Sequence, residues 1–177
     1  KKAIEKSYST VQHHSIKVKP SLPKGKMSPQ EKAFYARTEY CNYIDDAYLT
    51  IGRSQAYMRD FAGSKLAFGT VVSDFPQEAS ALEAQLWLAL IAIKSEDQAQ
   101  ADLIFIKLDK IKTFPASLRF LYSPFRTELA LTEKDYPKAE EQLTIALKEG
   151  GAGKIQKQRM RFLQAQLFEL NNQRSKA

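Results

Sequence analysis

The residues of this chain best suited to chemistry are two histidines, two acidic pairs, one cysteine and a glycine-rich stretch. His13 and His14 are adjacent, and neighbouring helical residues point about 100° apart, which suits two-ligand metal binding poorly. Residues 150–154 lack the GxxxxGK[ST] spacing of a phosphate loop and follow a predicted helix instead of a strand. Neither pattern predicts a metal or nucleotide site.

The acidic pairs Asp45-Asp46 and Glu140-Glu141 have no acid or base that the sequence places opposite them. Asp45-Asp46 open a helical pattern, where carboxylates cap free N–H groups and are stabilised by the helix dipole. Cys41 is the single cysteine, so the chain forms no internal disulfide, and we predict a packing role for it near a helix end. The residues therefore predict no catalytic site and no cofactor.

The composition indicates an all-helical protein with a sizeable core. The chain has 177 residues, of which 44% are apolar, enough to bury a continuous core. Strand signals are nearly absent, because the β-branched run Thr70-Val71-Val72 lies inside helical periodicity. No apolar run approaches the roughly 18 residues of a membrane span, and no signal peptide is visible.

The net charge of +7 is unevenly spread. Residues 1–37 hold nine Lys/Arg and two Glu, residues 38–153 hold twelve Lys/Arg and seventeen acidic residues, and residues 154–177 hold six Lys/Arg and one Glu. The body is thus acidic between two basic ends. A basic end could contact an acidic partner or a phosphate, or it could be a solvated segment.

A basic loop is predicted from His14 to Met27. Its lysines have no interleaved aromatic residues, which argues against nucleic-acid binding. A capping box with proline at the first helical position, Ser28-Pro29-Gln30-Glu31, then predicts a helix start. The loop lysines are Lys17, Lys19, Lys24 and Lys26.

A repeated pattern organises the rest of the chain. Tyr48-x2-Ile51-Gly52, followed by Phe68 and Pro76, matches the offsets of the tetratricopeptide repeat (TPR), a helix-turn-helix unit of roughly 34 residues. A small residue lets two helix backbones approach, and an aromatic side chain fills the gap opposite. Shifts of about 37 or 38 residues bring comparable residues into place: Leu88-Ala89, Ala101-x3-Phe105 and Phe114-Pro115, then Asp135-Tyr136 and Ala139-x3-Leu143, then Ala165-x2-Phe168.

We therefore predict an all-α fold, an α-solenoid of TPR repeats. Residues 1–42 would hold the second helix of an upstream repeat, the basic loop and a connecting helix, and residues 43–177 about three repeats plus the first helix of a fourth. Second helices are expected to start at Asp60-Phe61 and Asp135-Tyr136 and to end at Pro76 and Pro115, and the glycine-rich stretch is expected to break the chain before the last helix.

The chain is expected to be a fragment of a longer protein, because its last helix, from Ile155 to about Asn171, has no second helix to cover it. Its apolar residues would then be partly exposed or covered by a neighbouring molecule. They are Phe162, Ala165, Leu167 and Phe168.

Several segments together resemble one TPR family. They are KAIEK from Lys2, HSI from His14, YIDDAYL with IGR from Tyr43, and EAQLWLA from Glu83 after Phe75-Pro76. They are similar to the outer-membrane TPR lipoprotein of the type IX secretion and gliding-motility machinery. Departures from the family pattern are Thr50, Ser54-Gln55 and Pro124; Pro124 lies within a predicted first helix, where proline removes a backbone hydrogen bond.

The resemblance implies a non-enzymatic scaffold on the periplasmic face of the outer membrane. It implies attachment to the membrane by an acylated cysteine upstream of Lys1, and partners that are other protein components of the secretion complex. Two alternatives stay open. One is a scaffold or chaperone of another envelope pathway, such as outer-membrane protein assembly, and the other is a regulatory module that binds an anionic ligand through the basic ends.

In TPR domains the first helices line a concave groove, and we predict a partner-binding surface there. Arg53 and Tyr57 lie one turn apart on one face, and such a pair commonly anchors a protein partner. Counted from the small residue of each repeat, the predicted groove residues are Asp46, Leu49, Arg53 and Tyr57, then Glu83, Leu86, Leu90 and Lys94.

Overall fold

The protein is all-helical in the residues that its structure, a computed structural model, describes: 1–13, 24–36, 43–148 and 153–174. These residues contain no strand, so the predicted all-α fold class is confirmed. Predictions that concern His14, Lys17, Lys19, Cys41 and residues 150–152 lie outside the described residues. The helices are α1 (Lys2–His13), α2 (Pro29–Ala36), α3 (Ile44–Tyr57), α4 (Phe61–Asp74), α5 (Ala79–Lys94), α6 (Gln98–Asp109), α7 (Ala116–Thr132), α8 (Tyr136–Lys148) and α9 (Lys154–Arg174).

The chain forms two compact units, residues 1–84 and residues 85–177. In the first unit, α3 packs against both α1 and α4. In the second, α8 packs against both α7 and α9. Of the helices in the described ranges, none combines the length and the apolar character that a membrane crossing needs.

The same turn joins α3 to α4, α5 to α6 and α7 to α8. In each turn a residue with a left-handed backbone precedes an aspartate, and the aspartate side chain caps the following helix by accepting from the N–H three residues on. The φ angles are 63° at Arg59, 61° at Glu96 and 59° at Lys134. The aspartates are Asp60, Asp97 and Asp135, whose carboxylates accept at 3.0, 3.1 and 3.1 Å from the amides of Gly63, Gln100 and Lys138.

The backbone hydrogen bonds of the three turns are also the same. The N–H of each aspartate donates to the carbonyl five residues earlier, on Gln55, Ala92 and Ala130, at 2.9 Å. This is the Schellman arrangement, in which a left-handed residue lets the chain leave one helix with its last carbonyls satisfied. The predicted starts of α4 and α8 at Asp60-Phe61 and Asp135-Tyr136 are therefore confirmed.

Replacing a left-handed residue of these turns with glycine should stabilise the protein. Glycine adopts positive φ without the steric cost that a side chain carries, so we expect Lys134→Gly to raise the free energy of unfolding by about 0.5–1 kcal/mol. Lys65→Gly, in the exposed middle of α4, is the matched control and should lower it by about 1 kcal/mol. Urea denaturation measures both, and a Lys134→Gly variant as unstable as Lys65→Gly would contradict the left-handed assignment.

The predicted close approach of a small and an aromatic residue is confirmed between α3 and α4. A Cβ atom added to Gly52 would lie 2.7 Å from the ring of Phe68, a contact too short for a real side chain. The hydroxyl of Ser64, which stands where the repeat pattern has alanine, donates to the carbonyl of Gly52 at 2.8 Å. The residues one and two repeats further on are also buried: Ala101, Phe105, Ala139 and Leu143.

The start of α2 was predicted correctly, whereas the end of α6 was not. The capping box is confirmed, since the Ser28 N–H donates to Glu31 Oε2 at 2.7 Å and the Glu31 N–H donates to Ser28 Oγ at 3.2 Å. Hydrogen bonding to the Glu31 carboxylate from the Ser28 backbone and, after it, from the Ser28 side chain holds the pKa of Glu31 below its ordinary value. Pro115 does not end α6, which stops at Asp109; it is the N-cap of α7.

Two residues of the second unit bear on the sequence predictions, Leu167 of α9 and Pro124 of α7. Leu167 of α9 was expected to be partly exposed, but it is 1% exposed and packs with Ala130 of α7 and Ala139 of α8. Phe162, Ala165 and Phe168 are exposed as predicted. Helix α7 continues through Pro124 without a break.

Candidate partner-binding surfaces

Three residues of the predicted partner-binding groove form a charged cluster on α3 and α5. Nη2 of Arg53 lies 3.0 Å from Oε1 of Glu83, and both were predicted to line the groove. Partial desolvation and, after it, the neighbouring Asp45 raise the pKa of Asp46 above its ordinary value, while Arg53 opposes the shift. Nε of Arg53 is buried and has no hydrogen-bond partner among the described residues. The structure thus brings Asp46, Arg53 and Glu83 together.

The other predicted groove residues are placed differently. Leu49 and Leu86 are buried and contribute to the core instead of to an exposed surface. Tyr57 is exposed, and Leu90 is half-buried. Lys94 is exposed and its ammonium group lies 2.6 Å from Oε2 of Glu128 in the second unit.

The acidic pairs and the described histidine make local contacts. Oδ2 of Asp45 accepts from the Ser80 hydroxyl at 2.6 Å, and Oε2 of Glu140 accepts from the Asn171 amide at 2.9 Å. Nδ1 of His13 lies 2.7 Å from the Ser9 carbonyl within α1. Within the described ranges, no three His, Cys, Asp or Glu side chains are grouped so that they could hold a metal ion.

A second surface lies in the second unit, in a groove between α7 and α9 whose floor includes Leu143 of α8. We call it the α7–α9 groove; its volume is about 560 Å³. Most of its apolar lining comes from α9, where Ile155 is 68% and Phe162 is 66% exposed. Its lining residues are Pro124, Thr127 and Glu128 of α7, Leu143 of α8, and Ile155, Gln158, Arg159, Met160, Phe162, Leu163 and Gln166 of α9.

The polar groups of this groove differ between its two walls. On α7, the hydroxyl of buried Thr127 donates to the Ser123 carbonyl at 3.0 Å, and Glu128 is paired with Lys94. On α9, Arg159 lines the groove without an ion-pair partner in the described residues. The α7 wall is therefore satisfied internally, whereas the α9 wall presents an available cation.

A third cluster joins the end of α6 to α7. Both the Tyr122 hydroxyl and the Arg126 guanidinium bond to the carboxylate of Asp109, and Nε of Arg126 donates to the Tyr122 oxygen at 3.2 Å. The guanidinium carbon also lies 4.8 Å from the ring centre of Phe105. Burial and the bond to Asp109 raise the pKa of Tyr122. Each of these polar groups is paired, which gives the cluster the character of a brace between two helices.

The α7–α9 groove was not predicted from the sequence. Its one local signal is that Ile155 and Phe162, seven residues apart, share a helix face with Arg159 between them. The Tyr122 cluster was also missed, since only Tyr122 and Arg126 stand at i, i+4 and Asp109 lies on another helix.

Comparisons of this chain with models of protein families, with curated proteins and with solved structures find no match.

Proposed function

We propose that this chain is a non-enzymatic scaffold built from TPR repeats that holds together protein components of the bacterial type IX secretion and gliding machinery. The observation that carries the repeat assignment is the turn that recurs at Arg59, Glu96 and Lys134. These residues are 37 and 38 residues apart, and each turn has the same left-handed residue, capping aspartate and backbone bonds. Structural repeats of this kind stack their helix pairs and present extended surfaces to partners.

The buried small residues support the same proposal. The Gly52–Phe68 contact joins the residue types expected at the packing position of a TPR. Phe105, 37 residues beyond Phe68, is buried together with Ala101. The assignment to type IX secretion, to the periplasmic side of the outer membrane and to a lipid anchor upstream of Lys1 is supported by the sequence resemblance. Partners are therefore proposed to be proteins of that envelope complex.

The test is capture of partners from an envelope extract by the intact protein, followed by mass spectrometry. The double variant Arg53→Gln, Tyr57→Ala should lose at least one partner, because it removes both predicted anchors on α3. Glutamine is preferred to glutamate at position 53, since a second carboxylate beside Glu83 would add like-charge repulsion.

The matched control is Lys65→Gln, Leu66→Ala, which makes the same kinds of change on the exposed face of α4. Circular dichroism checks that both variants stay helical. Recovery of outer-membrane assembly factors in place of secretion components would support the alternative envelope pathway. A folded double variant that keeps every partner would show that the α3 surface is not the docking site.

A further inference from the structure

We propose that the α7–α9 groove binds an acidic segment of a partner protein that carries apolar side chains at helical spacing. This inference rests on the proposed function as an interaction scaffold and specifies the chemistry of one partner. It draws on two independent features of the second unit, the apolar lining of the groove and the uncompensated charge of α9.

The apolar feature is a pair of exposed anchors above a recessed floor. Ile155 and Phe162 expose 68% and 66% of their surface on the same face of α9, two turns apart. Leu143 lies buried beneath them, and Leu163 is half-buried. A helix that presents apolar residues at i, i+3 or i+4, and i+7 would match this two-turn spacing. Because the floor of the groove is recessed, a partner with protruding side chains can contact it, whereas a partner with a flat surface cannot.

The charge feature lies in the first two turns of α9 and just beyond. Residues 154–161 include four basic residues, and the first acidic residue of α9 is Glu169. Among the described residues none of the four forms an ion pair. The free N–H groups of the helix start add positive partial charge to the same end. The four basic residues are Lys154, Lys157, Arg159 and Arg161.

The charge that faces the α7–α9 groove from α7 does not cancel Arg159, the basic residue of this set that lines the groove. Glu128 lines the groove on α7, but Lys94 lies 2.6 Å from it. Glu140 on α8 accepts from Asn171, and with Glu169 it lines a neighbouring pocket that contains Arg161, outside the α7–α9 groove. The groove therefore complements an anionic partner. A second copy docking through the same groove would oppose two such sets of cations, which disfavours self-association there.

The experiment is a selection of peptides from a random 16-residue display library on the purified protein, followed by affinity measurements on the enriched peptides by fluorescence anisotropy. We expect the enriched peptides to be net negative and to carry two or three apolar residues at helical spacing. Raising the salt concentration should weaken their binding, because the ionic part of the interaction is screened.

Two groove variants make the assignment specific. Phe162→Ala should weaken binding of the enriched peptides by about tenfold or more, since exposed aromatic anchors dominate such interfaces. The double variant Arg159→Glu, Arg161→Glu should reverse the charge preference, so that a repeated selection enriches basic peptides. Leu66→Ala and Lys65→Glu on α4 are matched controls and should leave affinity unchanged. All five substituted positions are exposed, so folding should be preserved.

Several outcomes would overturn the inference. These are enrichment of neutral or basic peptides on the unmodified protein, the absence of any enriched family, and affinities insensitive to Phe162→Ala. A concentration-dependent dimer in sedimentation that Phe162→Ala abolishes would identify a second copy as the occupant. Because the selection needs no envelope extract, its failure would leave the scaffold function open through the α3 surface, whereas failed capture from the envelope would leave the groove result standing.

Discussion

Phe68→Ala is expected to lower the free energy of unfolding by about 3–5 kcal/mol. The Phe68 side chain is fully buried, and its ring lies against the backbone of Gly52. Truncation would remove the buried ring and leave a cavity that two packed helices cannot close. Equilibrium unfolding in urea, followed by circular dichroism, measures the loss.

The control for this prediction lies two residues away on the same helix. Leu66 is 76% exposed, so Leu66→Ala removes an apolar side chain from α4 without opening the core. Its effect should stay within about 0.5 kcal/mol. If the Phe68 and Leu66 variants unfold at the same urea concentration, the packing of α3 on α4 described above is wrong.

Gly52→Leu should destabilise the protein by about 1–3 kcal/mol through overpacking. Its Cβ alone would lie 2.7 Å from the Phe68 ring, which is fully buried. Gly69 is the matched control, because it is also within a helix but has no atom within 4 Å of an added Cβ. Gly69→Leu should stabilise the protein by roughly 0.5–1 kcal/mol, as expected when a helical glycine is replaced.

Combining Gly52→Leu with Phe68→Ala tests whether the two residues share one space. The new leucine would then occupy part of the volume that the ring vacates, so the double variant should be less destabilised than the two single effects added together, by about 1–3 kcal/mol. Strict additivity would mean that the residues do not contact each other.

The helix pairs could be predicted because their signals are local. Asp60 and Asp135 precede helical patterns and cap the helices that follow. The small and the aromatic residue of a pair lie on consecutive helices that a single short connection joins. The left-handed residues were not predicted, because Arg59, Glu96 and Lys134 carry no glycine signal. Their conformation follows from the geometry of the helix pair, which overrides the preference of the single residue.

The surfaces were harder to predict, because they depend on helix phase and on contacts between distant residues. An error of one position rotates a helical side chain by about 100°, so Leu49 and Leu86 were assigned to a groove although they are buried. Leu167 is buried only because α7 and α8 supply Ala130 and Ala139 beside it. No periodicity within α9 contains that information.

The three recurring turns also bear on how the chain folds. In each turn, hydrogen bonds between residues no more than five apart in sequence satisfy the ends of both helices. The two helix ends can therefore form before any contact between distant residues exists. Closing so short a loop costs little chain entropy, and contacts that are near in sequence form fastest. The chain can then acquire its helical hairpins one at a time, each before the contacts between hairpins form.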